Sequence, residues 1–491
     1  MSYWWLVRAT RTIRSSALSV VRSAIETLST RATGSPMRQL ADITQDCGGR
    51  LIGADRVFSS VNTDTRTLAA GQLFVALRGP RFDGNTYLAE AAAKGAVGAI
   101  AEREGPADFP VVLVDDALVA LQRAAQRWRA RFSMPLIGMA GSNGKTTSKE
   151  MVASILSCCG ETLATAGNLN NHIGVPLTLL RLDPSHRHAV IEMGANHPGE
   201  LAQLAGFAAP AIGIVTNAGA EHLEGFGSLE GAARAEGELF AALRQDGTAI
   251  LNVDDSFAGL WRDMTVARIV TFGLGSKADF GACDIHTEVD ADGFLTRFTL
   301  VSPLGEQKVS LHLAGKHNVL NALGAAAAAI TAGATLDDVA KGLARMRPVK
   351  GRLQLCGARS GAWIIDDSYN ANPSSLQAAI DVLEALGGRR FLVLGEMGEL
   401  GNFSREAHLE AGRYARAHGV ERLFAVGEAT KLSVESFGEG GVWHDDTAAV
   451  AEEVGRELAA DVRVLVKGSR SNRLERVVAA LESVPSAGGM Y

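Results

Sequence analysis

Residues 133–156 read "SMPLIGMAGSNGKTTSKEMVASIL". An apolar run, a turn of small residues and a helix-forming run follow one another there without a break. A buried strand that feeds a helix through a glycine turn belongs in a parallel sheet covered on both faces, so the stretch restricts the fold to α/β. Its turn, "GSNGKTT", is made of Gly141, Ser142, Asn143, Gly144, Lys145, Thr146 and Thr147. Small residues at a helix start let backbone N–H groups close around a phosphate, and the helix dipole favours the negative charge. Lys145 would reach the outer phosphates, and Thr146 would offer its hydroxyl to Mg²⁺. The longest form of this motif needs glycine at 139, where the chain has Met139. A chance glycine turn is the alternative, and the strand–loop–helix context argues against it.

Similar alternation extends in both directions. Before the turn, "QLFVALRG" and "VVLVDD" read as short strands, and "TYLAEAAAKGA" and "DALVALQRAAQRWRARF" as helices. After it, "HAVIEMGA", "AIGIVTNA", "GTAILNVDD" and "RIVTFGL" read as strands between helices. Beyond "MRPVKGR" come strand "WIIDD", helix "SSLQAAIDVLEAL", strand "RFLVLGEM", a helix within "SREAHLEAGRYARAHG", strands "RLFAVG" and "VRVLVKG", and a last helix, the pattern of a small doubly wound domain. With 491 residues the chain is long enough for about three domains. We set their expected bounds at 37–133, 134–345 and 346–491, with 1–36 as an extension.

Residues 1–36 carry five arginines and one acid, Glu26, and Ile13, Ala17, Val20, Val21, Ala24, Ile25 and Leu28 fall at helical spacing. That is transit-peptide composition; an over-extended reading frame starting truly at Met37, or a disordered segment, are the other readings. No long apolar core follows a basic start, so no secretory signal is expected. The net charge of −6 gives no general attraction for nucleic acid. Five cysteines without C-x-x-C spacing argue against a disulfide framework or structural zinc and fit a reducing cytoplasm. The longest uncharged run, "NVLNALGAAAAAITAGATL", carries two asparagines and reads as a packed helix, not a membrane span.

Further polar residues stand where strands end. Glu192 in "VIEMGANHPGE" could hold Mg²⁺, or be capped or paired. His222 follows the next strand and reads equally as ligand or structural histidine. Around it, Glu221, Glu224 and Glu230 read as solvated, while Glu236 and Glu238 lie two residues apart on a helix and cannot share a face. "GKHNVLNALGAA" puts Asn318 at a helix start, where it could cap or read an adenine edge. "DDSYNANPSS" puts Asp366 and Asp367 at a strand end before a turn, Arg352 is available to a phosphate, and Lys467 and Arg470 in "VLVKGSRSNRLERVV" suit a carboxylate or phosphate.

Together "GSNGKTT", "GNLNNHIGVPLTLL", "EMGAN", "AEHLEGFGS", "GKHNVLNAL", "PVKGRLQ", "DDSYNANPSS", "LGEMGELG" and "VKGSR" resemble the Mur ligases, in the family's order and from Met37 to the end. "DDSYNANPSS" and "GNLNN" point to the branch that adds D-alanyl-D-alanine to UDP-N-acetylmuramoyl-tripeptide, and the D-N-P-R stretch of the diaminopimelate-adding branch is missing. The resemblance implies three domains: a mixed α/β UDP-sugar-binding domain, a central phosphate-loop ATPase domain with a mostly parallel sheet, and a C-terminal Rossmann-like domain. It also implies ATP and Mg²⁺ as cofactors, an acyl-phosphate route, and a cytoplasmic monomer serving cell-wall synthesis. Carried over by motif, Lys145, Glu192, His222 and Arg352 would be catalytic. The loop residues Gly141 to Thr147, with Asn318 at adenine, Arg352 at the γ-phosphate and Asp367 at ribose, would bind ATP. Thr65, Arg66, Asn170, Asn171, Lys467 and Arg470 would bind the other substrates, and Thr65 stands where serine is usual. Thr146, Glu192, His222 and Glu236 would serve the metal.

At Glu236 the chain departs from the family. Relatives commonly carry a lysine there, carbamylated on its amine; here the run is "AEGE". A glutamate keeps the negative charge but reaches about 4 Å less far, so it would act through water or as an outer anion. Its other expected role is merely to neutralise Arg234 or another neighbour. Two competing readings remain for the whole chain: another acid–amino-acid ligase of the folylpolyglutamate or cyanophycin kind, and a module that hydrolyses ATP only to change shape.

Overall fold

The computed structural model describes residues 38–275, 277–290, 293–358 and 360–482; the arginine-rich stretch at the N-terminus and Met37 lie outside the described residues. Two compact units result, and the first comprises residues 38–128 together with Leu180–Ser185. Its sheet has strands β1 (Arg50–Ile52), β2 (Val61–Asn62), β3 (Leu73–Val75), β4 (Gly98–Ala101) and β5 (Val111–Leu113), in the order β1-β5-β4-β3-β2. All pairs are parallel except β1 with β5. Phe74, Leu88, Ala91, Ala99 and Val111 form its core. Leu182 returns to this unit by accepting the Trp128 Nε1–H bond at 3.0 Å. β4, "GAIA", is too short and alanine-rich to announce itself as a strand.

The second unit holds two six-stranded sheets. In the first, β6 (Leu136–Ala140), β7 (Thr162–Ala164), β8 (His188–Glu192), β9 (Ile212–Val215), β10 (Thr248–Asn252) and β11 (Arg268–Phe272) run parallel in the order β7-β8-β6-β9-β10-β11. From β6 the chain passes to the edge strand β7, comes back to β8 beside β6, and then crosses to β9 and works outward on the other side. The crevice beyond the carboxyl end of β6 is therefore the topological switch point, where open α/β sheets bind ligands. Helix α1 (Lys145–Leu156) starts there, and α2 (Leu229–Ala241) and α3 (Lys316–Thr331) also belong to this layer.

The uncharged run forms the buried helix α3, and no helix among the described residues is long and apolar enough to cross a membrane. Its small side chains permit close packing. A Cβ on Gly324 would stand 3.0 Å from Ile214 and Phe272, and Ala325 to Ala329 are fully buried against this core.

Residues 281–311 form an antiparallel sheet of β12 (Gly281–Asp290), β13 (Gly293–Ser302) and β14 (Gly305–Leu311), which the expected strand–helix alternation does not contain. Its sign in the sequence is a period of two: Phe298 and Leu300 are buried between exposed Arg297 and Val301, as are Val309 and Leu311 in β14.

The other six-stranded sheet comprises β15 (Gln354–Gly357), β16 (Trp363–Asp367), β17 (Arg389–Gly395), β18 (Arg422–Val426), β19 (Gly441–His444) and β20 (Val462–Lys467) in the order β15-β16-β20-β17-β18-β19. Only the β15–β16 pair is antiparallel. Helix α4 (Pro373–Ala385) starts on an Asn372 capping box with proline at its first position. Helix α5 (Ser404–Ala417) follows β17. The five described cysteines are free, as expected.

Candidate active site

The loop between β6 and α1 is held open by its neighbours. Gly141 has φ +121°, and a Cβ there would lie 2.1 Å from Thr216 Oγ1; Gly144 has φ +79°, and a Cβ there would lie 2.6 Å from Asn321 Oδ1. Only glycine fits both the dihedrals and the space. The first three loop N–H groups are engaged inside the protein. Gly141 donates to Glu236 Oε2 (2.6 Å), Ser142 to the Asn217 carbonyl (2.9 Å) and Asn143 to Asn217 Oδ1 (3.0 Å). These three bonds fix the shape of the loop. The N–H groups of Gly144 to Thr147 form the first turn of α1, which has no side-chain cap. Such a turn offers its donors to an anion.

Lys145 turns back over the loop. Its ammonium donates to the carbonyls of Gly141 and Ser142 (3.1 Å for Ser142) and to Glu221 Oε2 at 3.4 Å. Burial alone would lower its pKa, but the carboxylates of Glu221, Glu236 and Glu192 outweigh burial and raise it. Burial pushes the Glu236 carboxyl up to about 7, against the pull of Lys145 and the Gly141 N–H.

On one side of the loop lies a cleft of about 510 Å³. Glu192 closes β8 there, and its Oε1 accepts from Asn170 Nδ2 (2.9 Å) and Thr146 Oγ1 (3.3 Å). Its Oε2 is buried without a hydrogen-bond partner; the ammonium of fully buried Lys149 stands 4.0 Å away. His222, with φ +52°, sets Nδ1 2.5 Å from Glu399 Oε2. Asn171 accepts from the N–H groups of Ile173 and Gly174, Arg470 is exposed with Glu475 3.4 Å away, and Arg352 lies 4.2 Å over the Tyr369 ring.

Among the described residues no group of three or more His, Cys, Asp or Glu could cage a metal by itself. Magnesium needs only one or two carboxylates when phosphate oxygens supply the rest. A buried carboxylate oxygen that has no hydrogen bond, beside a threonine hydroxyl and at the edge of a cleft, fits an ion that arrives with phosphate.

A second cleft lies on the other side, and Asn143, Gly144, Thr147 and Arg352 line both. Here Asn318 is buried, donating to the Ala314 carbonyl (2.8 Å) and accepting from Asn321 (3.3 Å). Asp367 accepts from the Leu353 N–H (3.1 Å) and from Lys467 Nζ (2.5 Å), and Lys467 also donates to the Asn370 carbonyl. Burial lowers the Lys467 pKa despite Asp367.

The expected residues thus gather round the loop with three exceptions. Thr65 and Arg66 belong to the first unit. Thr65 is buried there, its carbonyl accepting from Lys94, and exposed Arg66 grips Asp64 and holds that carboxyl near 2. Glu236 lines neither cleft and sits under the loop instead. Neutralising Arg234 is not its role, because Arg234 pairs with Glu230 at 2.7 Å. Glu238 points elsewhere, as the spacing requires, and accepts from the N–H groups of Gly199 and Ala202.

Glu221 corrects the reading of it as solvated. Its side chain is 13% exposed, meets Lys145, and takes Asn370 Nδ2 at 3.5 Å. Glu224 and Glu230 are exposed, as read. The sequence reading also passed over Lys149, Glu399, and the Asn143 side chain, which accepts from Asn372 (2.7 Å) and donates to Ser374 (3.1 Å). The signal available for Lys149 was its place on α1, one turn beyond Lys145.

Comparison with known proteins matches three family models: Mur ligase family catalytic domain over 57–129, Mur ligase middle domain over 139–329, and Mur ligase glutamate ligase domain over 351–470. The UDP-N-acetylmuramoyl-tripeptide–D-alanyl-D-alanine ligase of Escherichia coli K12 is 43% identical over 90% of this chain and 98% of its own. A crystal structure of MurF from Acinetobacter baumannii aligns with TM-score 0.85 at 32% identity, covering 91% of this chain and 99% of that one. MurF ligase from Thermotoga maritima, solved in complex with ADP, aligns with TM-score 0.76 at 27% identity over 86% and 96%.

Proposed function

Because the chain belongs to the Mur ligase family, we propose that it joins D-alanyl-D-alanine to UDP-N-acetylmuramoyl-tripeptide at the expense of ATP, in peptidoglycan precursor synthesis. The observation that carries this reading is the convergence of Lys145, Thr146, Glu192 and His222 from one sheet with Arg352 and Arg470 from beyond it in one cleft, beside a second cleft lined by Asn318, Asp367 and Lys467. The tripeptide's terminal carboxylate attacks the γ-phosphorus of ATP, giving an acyl phosphate and ADP. The amine of D-alanyl-D-alanine then attacks the acyl carbon through a tetrahedral intermediate; phosphate leaves and the amine loses its proton. The protein does no covalent work: it places the reactants and meets the charge.

In this reading the first-turn N–H groups of α1 and Lys145 hold the phosphates, Lys145 leaving Glu221 to do so, and Arg352 meets the γ-phosphate. Asn318 takes adenine. Asp367 still has free lone pairs for a ribose hydroxyl, with Lys467 behind it. Asn170 and Asn171 face the muramoyl-peptide, Arg470 takes a carboxylate, and Thr65 and Arg66 bind the UDP part. Magnesium, when bound, neutralises phosphate charge; Thr146, Glu192 and His222 would hold it, with Glu236 as an outer anion. The working units are 37–133, 134–345 and 346–491, in a cytoplasmic monomer.

Release of ADP from ATP and UDP-muramoyl-tripeptide, measured with and without D-alanyl-D-alanine, tests the reading. Release should require the dipeptide. Equal release without it would indicate a nucleotide-driven module instead.

A further inference from the structure

Resting on the reading of this cleft as a magnesium-using ligase site, we propose that Glu399 is a positioning residue. It fixes His222 in the tautomer that presents Nε2 to the phosphate cleft, and so makes the metal site ready only when the β17 loop is seated against it. The two residues come from different sheets: His222 follows β9, and Glu399 follows β17. Nδ1 and Oε2 are 2.5 Å apart. A carboxylate oxygen facing Nδ1 takes the Nδ1 hydrogen, which leaves Nε2 as the nitrogen available to a metal. The nearest carboxylate oxygen to Nε2, Glu221 Oε1, is 3.7 Å away, beyond hydrogen-bond reach. Nε2 is therefore the nitrogen without a hydrogen bond, on a ring that lines the same cleft as Glu192 and Thr146.

An exposed carboxylate near a histidine is usually a weak ion pair, and the Glu399 side chain is 62% exposed. Three features set this contact apart. Both partners hold left-handed backbone, at φ +52° and +62°, without being glycine, and such conformations persist where the surroundings over-determine them. The contact has two points, since the Glu399 carbonyl accepts the Glu224 N–H at 3.3 Å. The loop beneath Glu399 is braced: Met397 N–H donates to His408 Nε2 (3.1 Å), Gly398 N–H to Ser469 Oγ (2.7 Å), and Glu396 N–H to Asn472 Oδ1 (3.2 Å). On its other side the imidazole stands edge-on to Phe226, with ring centres 6.4 Å apart. A ring so held has one orientation, and its donor is assigned by its partner.

The test uses ¹⁵N-histidine-labelled full-length protein at pH 8.5 without nucleotide, with the His222 signal assigned by its loss in His222→Gln. In the wild type, Nδ1 should carry the proton. In Glu399→Ala the signal should move to a mixture of tautomers, and in Glu399→Gln, whose amide oxygen still accepts, it should return. The magnesium concentration for half-maximal ADP release should rise about tenfold in Glu399→Ala and recover in Glu399→Gln. A wild-type ring protonated at Nε2, or a tautomer unmoved in Glu399→Ala, overturns the inference. Acceptor-independent ADP release by the wild type would overturn the ligase reading while leaving the tautomer result standing.

Discussion

At the carboxyl edge of β8, Glu192 keeps one buried oxygen without a partner; at the edge of β16 and β20, Asp367 and Lys467 satisfy each other. Both places are strand ends of parallel sheets, and both bury charge. At the first, the second oxygen of Glu192 has no hydrogen bond, and the Lys149 ammonium stands 4.0 Å away. At the second, the charges are closed within the fold, and the Asp367 carboxylate also accepts the Leu353 N–H. The difference separates a carboxylate whose second oxygen has no hydrogen bond from one whose charge is met by a direct partner.

Breaking the closed pair should have the largest effect. Lys467→Met leaves a buried aspartate alone, and a loss of about 3–5 kcal/mol is expected in urea unfolding. The double variant Asp367→Asn/Lys467→Met should lose distinctly less, because no charge is stranded. Glu192→Gln, at the open end, should change stability by less than about 1 kcal/mol while abolishing acceptor-dependent ADP release. Equal losses at the two ends would remove the distinction.

Next in size is an acid effect on the closed side. Burial pushes the His317 imidazole down to about 4, with Asp367 and Asp381 pulling it up and Lys467 pushing it down. In the unfolded chain the same ring takes its proton near 6.5. Stability that is present above 6.5 is therefore lost as pH falls towards 4, up to about 3 kcal/mol. His317→Gln should flatten that limb of the stability curve and leave the curve above pH 7 in place. An unchanged acid limb would show that His317 is not the group responsible.

The contrast also explains what was legible beforehand. Lys145, Glu192 and His222 follow apolar strands in a glycine-rich context, so their shared edge could be read from alternation alone. The antiparallel strands β13 and β14 announced themselves only through a period of two, which the strand–helix rhythm around them masked, and β12 buries no residue in alternation. Glu221 looked solvated because one sequence cannot show that Lys145 folds back towards it across 76 positions. Glu399 was quoted inside "LGEMGELG" without a role, since its partner lies on another sheet. Local pattern locates strand ends; pairings between sheets depend on packing, which the pattern does not carry.

Glu236 tests the open side most finely, with the smallest expected loss of activity. Its carboxylate accepts the Gly141 N–H and lies among the charges around Lys145. Glutamine keeps an oxygen for that N–H, so Glu236→Gln should preserve the loop. Removing a buried charge relieves its desolvation, but Lys145 loses one of three carboxylate neighbours, so a net gain of only about 1 kcal/mol at pH 8 is expected. ADP release should nevertheless fall at least about tenfold, because the loop loses an anion and not an acceptor. Added bicarbonate should not restore it, since neither side chain offers an amine to carbamylate. Wild-type rates in Glu236→Gln would mean that the oxygen alone matters, and that Glu236 belongs to the shape of the loop and not to its chemistry.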